Sequence, residues 1–177
     1  MATLQDRMLR AAKLDVDLYE EVEADQSATQ QAMLVVVLSS VAAGLGAMGS
    51  GDGGLGTMLI GTVTALVAWF IWAFLTYFIG TKILPQPQTS ADMGELLRTI
   101  GFSSSPGVIR IVGIIPGLYI ISTTVASIWM LVAMVIAVRQ ALDYDSTLRA
   151  VGVCIIGWFV QIMVLAGLFS LFGSSSY

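Results

Sequence analysis

The side chains able to do chemistry here are few, and their types narrow the options at once. The chain contains no histidine and one cysteine, Cys154. No imidazole is available as a general base or as a ligand for haem, zinc or copper. A lone thiol forms no intrachain disulfide and no thiolate cluster, and Cys154 sits in an apolar run where a thiol serves as a small packing residue. No nucleophile–base pair or metal-ligand spacing is present. Gly49, Gly51, Gly53, Gly54 and Gly56 lack the lysine that a phosphate-cradling G-x-x-x-x-G-K-[ST] loop requires, and read as a flexible turn. Neither an enzyme nor a bound cofactor or metal is expected.

Two polar groups remain. Residues 15–25 read DVDLYEEVEAD, in which six of eleven are acidic and none is basic. Anionic lipid headgroups repel such a segment. It either pairs with Arg98, Arg139 or Arg149, docks on a basic partner protein, or stays a solvated linker. Val16, Leu18, Tyr19 and Val22 interleave with the acids and favour an ordered, docked segment. The candidate partner-binding set is Asp15, Asp17, Tyr19, Glu20, Glu21, Glu23 and Asp25. The second group lies in apolar surroundings: Arg110, Gln161, and the hydroxyls of Ser122, Thr123, Thr124 and Ser127. A cation in hydrocarbon is costly and marks function by default. Arg110 lies few residues from the N-terminal end of its segment, so snorkelling to the interface or a structural ion pair competes with a ligand or transport role. Gln161 either ties helices together or lines a path. No acidic residue lies in any apolar run, so no proton relay is expected.

Hydrophobic residues make up 56% of the 177 and charged residues 11%, with a mean hydropathy of +0.86. A soluble domain averages about 25% charged residues. The composition therefore describes an all-α polytopic membrane protein. The net charge of −4 argues against a nucleic-acid partner. The first 25 residues are charged and lack a continuous apolar stretch, so no signal peptide is expected.

Four uncharged or nearly uncharged runs stand out, at 31–48, 55–80, 117–138 and 151–172. As helices they cover about 27–39 Å, enough for a hydrocarbon core of about 30 Å. The stretch 103–116, SSSPGVIRIVGIIP, is shorter and ends in the turn-forming pair Pro116-Gly117. If it crosses, the basic-free regions (the glycine-rich loop, the Pro116-Gly117 turn and the tail 173–177) share one side. Every basic residue except Arg110 then lies on the other. The positive-inside rule then gives five crossings, a short third one, a cytoplasmic N-terminus and an external C-terminus.

Residues 1–26 form a cytoplasmic segment and 27–177 the five-helix domain. Leu4, Met8, Ala11 and Ala12 recur at helical spacing, which predicts an amphipathic helix on the membrane or on the protein's own face. Ser27 to Gln30 fits a capping box that opens the first span. Residues 90–102 predict an interfacial helix, with Met93, Leu96, Leu97 and Ile100 on one face. Ser39, Ala43 and Ala47, with Ser40 and Gly44, form small-residue ridges that let helices approach closely.

With these elements in place the chain resembles the Yip domain family, five-span integral membrane proteins named in eukaryotes for interacting with Rab-type GTPases. The likeness rests on DLYEEVEADQSATQQAMLVVV at 17–37, on the G-[YF]-S-x-x-P pattern met by Gly101, Phe102, Ser103 and Pro106, and on Arg149-Ala150 leading into the last span. Eukaryotic members carry D-L-Y-G-P; here Asp17-Leu18-Tyr19 is followed by Glu20-Glu21. The resemblance implies a partner-binding domain without catalytic residues, and sparse lysine with short loops points to a prokaryotic cytoplasmic membrane. The expected function is a non-enzymatic scaffold, adaptor or accessory subunit, acting as a homo-oligomer or within a larger membrane complex. It would bind through its transmembrane faces and its acidic segment. The alternative is a small permeation or lipid-active protein using Arg110 and Gln161.

Overall fold

In the computed structural model, residues 2–51 and 53–172 are described, with side chains as far as Met163. Seven α-helices follow in order: α1 (Leu4–Ala12), α2 (Val16–Ala24), α3 (Ala28–Met48), α4 (Leu55–Phe78), α5 (Met93–Phe102), α6 (Tyr119–Ala141) and α7 (Thr147–Phe172). A π turn at Ile79–Ile83 extends α4, and a 3₁₀ helix at Ser105–Ile114 follows α5. Three helices are long and apolar enough to cross a membrane: Ala28–Met48, Leu55–Ile83 and Tyr119–Ala141. A shorter apolar helix follows at Thr147–Met163. The tail 173–177 lies outside the described residues. Phe70, Phe74 and Phe78 stand on the exposed face of α4 with Val63 and Val67, while Trp69 and Trp72 turn inward. An apolar outer face of this kind suits lipid, which makes the chain an integral membrane protein.

The short 103–116 stretch is placed by α3. Ten residues of 3₁₀ helix rise about 20 Å, against about 15 Å for an α-helix, so the same chain reaches further. The segment runs the length of α3. Gly101 lies against Ala32, Gly107 against Ser39, Gly113 against Gly46, and Ile114 against Gly49. A Cβ on Gly46 would collide with the Arg110 carbonyl and one on Gly49 with the Gly113 carbonyl, so only glycine admits backbone-to-backbone packing here. A 3₁₀ run beyond about four residues is uncommon, and this one is held on two sides, by α3 and by Ser122 and Met130 of α6. Pro106 sits in its first turn, as expected. Gly117, with φ +87°, closes the turn into α6. The ridges on α3 are spent within the bundle: Ser39 meets Gly107, Gly44 meets Met58, and Ser40 donates to Thr62 at 3.2 Å.

The ends of the helices depart from the sequence reading in two places. The capping box at Ser27 does not form, because the Ser27 hydroxyl donates instead to Asp25 at 2.6 Å. Helix α5 carries the capping box, with Asp92 and Glu95 bonding reciprocally. It begins at the surface and then dives into the bundle, burying Leu96 and Arg98 through Phe102 rather than one face only.

Two cores result. One joins α4, α5, α6 and α7 around Leu96, Ile100, Val138, Leu142 and Val153. The other joins Ala11, Leu18, Tyr19 and Val22 of α1 and α2 to Ala28, Ala32 and Val35 of α3, Phe102 of α5 and Ala137 of α6. Thus α1 packs on the protein itself. Trp129, midway along α6, donates to the Ala12 carbonyl at 2.8 Å and closes the helix's C-terminal end.

Candidate functional site

The acidic segment is divided by the fold into two sets. Asp15, Glu21 and Asp25 face α1. Arg7, only 4% exposed, donates to Glu21 at 2.9 Å, to Asp25 at 2.7 Å and to Gln31 at 3.1 Å. Arg10 donates to Asp15 at 2.7 Å and to Glu21 at 2.5 Å. The hydrogen bond from Arg10 holds Glu21 below the usual carboxylate range, and bonds from Ser27 and then Arg7 hold Asp25 down to about 2. The cations that pair with the segment are therefore Arg7 and Arg10, not Arg98, Arg139 or Arg149. Their spacing of three residues on α1 was the available signal.

The other three arginines bond to backbone. Arg98, 5% exposed, donates to the carbonyls of Val22 (2.8 Å) and Glu23, where the C-terminal end of α2 leaves acceptors unpaired. Arg139 binds the carbonyls of Tyr144 (3.0 Å) and Asp145 (3.2 Å), and Arg149 that of Pro85 (3.2 Å). Tyr144 is a further tie that sequence reasoning missed. Its hydroxyl donates toward the carbonyls of Gly80 (3.1 Å) and Leu84 (2.7 Å), satisfying the end of the π turn.

Glu20 and Glu23 lie on the far side of α2. With Glu95 of α5 and Asp143 and Asp145 of the α6–α7 turn they line a cleft of about 610 Å³. Gln88, Gln140 and Arg139 complete much of its wall, so five carboxylates face one guanidinium that is already bonded to carbonyls. Gln140 donates to Glu20 at 2.9 Å and Gln88 to Asp145 at 2.6 Å. Burial, followed by the charges of Glu95, Asp143 and Glu20, pushes the Glu23 carboxyl up to about 7. Asp17 is exposed at the start of α2. Tyr19 is fully buried with its hydroxyl unpartnered, so it and Leu18 belong to the core.

The residues Gly101, Phe102, Ser103 and Pro106 form the joint between α5 and the 3₁₀ helix. A Cβ on Gly101 would stand 2.7 Å from that of Ala32. Phe102 is fully buried. Ser103 donates to the Ile100 carbonyl at 2.7 Å and Ser105 to that of Phe102 at 2.7 Å, taking up acceptors released where the α-helix stops. The motif is thus a packing and helix-switch device.

Arg110 and Gln161 meet in a second cavity, of about 280 Å³, bounded by α3, α4, the 3₁₀ helix, α6 and α7. The Arg110 guanidinium reaches Ser127 at 3.5 Å, and its Nε is buried without a partner. At about 1.5 Å per residue, Ser127 stands about 12 Å from the Tyr119 end of α6 and about 21 Å from the Ala141 end. The side chain therefore stands nearer the Tyr119 end of α6 than the Ala141 end, at the level where Trp129 meets the end of α1.

An all-helical bundle with apolar outer faces and three helices long and apolar enough to cross a membrane defines an integral membrane protein. The Yip1 domain model matches residues 17–169, and the chain belongs to that family, whose members are generally non-enzymatic trafficking proteins. No curated protein and no solved structure matches it.

Proposed function

We propose that the chain is a five-pass membrane adaptor whose acidic cleft docks a basic segment of a partner protein. The carrying observation is the cleft between α2, α5 and the α6–α7 turn, where Glu20, Glu23, Glu95, Asp143 and Asp145 outnumber Arg139. Carboxylates crowded in a concave site repel one another, and a lysine or arginine side chain relieves that repulsion on binding. The cleft's end also gathers Lys82, Arg98, Arg139 and Arg149, and under the positive-inside rule that end is cytoplasmic. The crossings are then α3, α4, the α5–3₁₀ pair, α6 and α7. Glu20 and Glu23 carry the docking, with Asp17 flanking. Asp15, Glu21 and Asp25 hold α1 in place and Tyr19 supports the core. The apolar outer faces of α4 and α6 are the surfaces open to a partner's transmembrane helices or to a second copy.

Charge reversal at both docking positions, Glu20→Lys with Glu23→Lys, is expected to abolish recovery of partners in a mild-detergent pull-down scored by mass spectrometry. Asp17→Asn should leave most of it. Unchanged recovery from the reversed chain would sink the docking idea.

A second reading, a permeation path, is favoured by one observation: Arg110 and Gln161 line the same cavity. Solute flux across reconstituted vesicles separates it from the adaptor reading.

A further inference from the structure

We propose that the cavity around Arg110 binds the phosphate group of a membrane lipid. Charge is the starting point. A guanidinium does not shed its proton in a protein, and an unpaired charge out of water is costly. Arg110 has no ion pair among the described residues, and no aspartate or glutamate occurs in α3, α4, the 3₁₀ helix, α6 or α7. Its one hydrogen bond, to Ser127 at 3.5 Å, is at the weak limit, and its buried Nε has none. Among the described residues the fold supplies the cation and no anion.

The lining completes the complement. Ser39 and Ser104 contribute hydroxyls and Gln161 an amide, and none of these side chains makes a hydrogen bond to a described residue. The two indole N–H groups at the cavity are spent: Trp69 donates to the Leu97 carbonyl at 3.0 Å and Trp72 to the Met134 sulfur at 3.2 Å. A cation with free hydroxyl and amide donors and no fixed acid suits a tetrahedral oxyanion, which takes two parallel bonds from a guanidinium fork. The volume of about 280 Å³ leaves room for more than the oxyanion itself.

The surroundings select the source. The Trp69 bond to Leu97 closes the cavity toward α5, the Trp72 bond to Met134 ties α4 to α6, and α7 packs on both helices with Gly157 against the Trp72 ring. On the outer faces of the same two helices, Val63 and Val67 of α4 and Ile128 and Leu131 of α6 are exposed and apolar. Acyl chains lie along such faces, so the phosphate arrives attached to a lipid rather than from water.

The test uses the full chain, stripped of lipid in a nonionic micelle, with Tm read by tryptophan fluorescence. Dihexanoyl phosphatidic acid is expected to raise Tm, whereas dihexanoylglycerol, which lacks the phosphate, leaves it unchanged. Arg110→Gln is expected to weaken the apparent affinity for phosphatidic acid by about tenfold or more, the loss of a charge-assisted bond. Equal stabilisation by inorganic phosphate would overturn the lipid assignment in favour of a free anion. Equal stabilisation by hexanoate would overturn it in favour of any carboxylate, including one on a partner helix. Should Arg110→Gln fail to fold, the wild-type chain still decides. Phosphatidic acid with brominated chains must quench the tryptophans more than brominated diacylglycerol at equal mole fraction, and Trp72→Phe must reduce the difference. Equal quenching refutes the site.

Discussion

Replacing Arg7 with methionine keeps the volume and apolar stem while deleting the fork that holds α1 to α2. The fork makes three side-chain hydrogen bonds, to Glu21, Asp25 and Gln31, from a position 4% exposed. Net contributions of about 1.5–3 kcal/mol per bond to a charged group set an upper limit. Two features reduce it. The Glu21 and Asp25 side chains are 33% and 32% exposed, so both rehydrate when the cation leaves. Glu21 also keeps Arg10, and Asp25 keeps Ser27. The expected cost is about 2–3 kcal/mol, or about 30- to 150-fold in the local opening equilibrium. Amide hydrogen exchange of the full chain reads that equilibrium directly. In Arg7→Met, peptides spanning residues 4–24 should lose protection by that factor while α4 keeps its own. Arg10→Met, at a side chain 27% exposed, should cost less. Protection of α1 and α2 within about twofold of wild type would refute the argument that this pair, rather than apolar packing of Ala11 and Leu18, fixes the N-terminal helices.

Other consequences follow from the same contacts. Gly46→Ala places a methyl on the Arg110 carbonyl, which belongs to backbone and yields little; a loss of about 1–3 kcal/mol is expected in an unfolding titration, whereas Gly56→Ala, in open space, should cost nothing. Stability should also respond to pH in two windows. Asp15, Glu21 and Asp25 are held below their unfolded values of 3.8 and 4.5, so their contribution is present above about 4.5 and disappears as pH falls toward about 2. Glu23 is held above its unfolded value, at about 7, facing Glu20 on its own helix, Glu95 on α5, Asp143 on the α6–α7 turn and the cation Arg98. Between 4.5 and 7 the folded chain binds the extra proton, so stability falls as pH rises through that window. Glu23→Gln should flatten this slope in Tm measured from pH 4.5 to 7.5, and parallel profiles for the two chains would contradict the assignment.

Much of the helix plan is legible without coordinates, because lipid leaves the backbone no choice. An uncharged run of twenty or more residues in hydrocarbon satisfies its own N–H and C=O groups only as a helix. The first-turn place of Pro106 and the turn at Gly117 follow from turn chemistry alone, whereas α3 starts at Ala28 without the capping box that its sequence suggests. What the linear pattern leaves open is which polar groups meet. Arg7 and the acids of α2 are 14 and 18 residues apart, and Glu23 and Asp143 are 120 apart; no periodicity links them.

The amino-acid order by itself determined that the chain is helical, apolar and bound for a membrane, since those properties are sums over neighbouring residues. The tertiary structure alone decided that Glu21 and Asp25 pair with the arginines of α1 while Glu20 and Glu23 line the cleft, that a glycine face on α3 draws out a 3₁₀ helix, and that Arg110 ends in a cavity with no counter-charge among the described residues. The physical reason is range. Helix formation and hydropathy are set within a few turns of chain, whereas the fate of a charge depends on what distant segments bring to within about 4 Å of it.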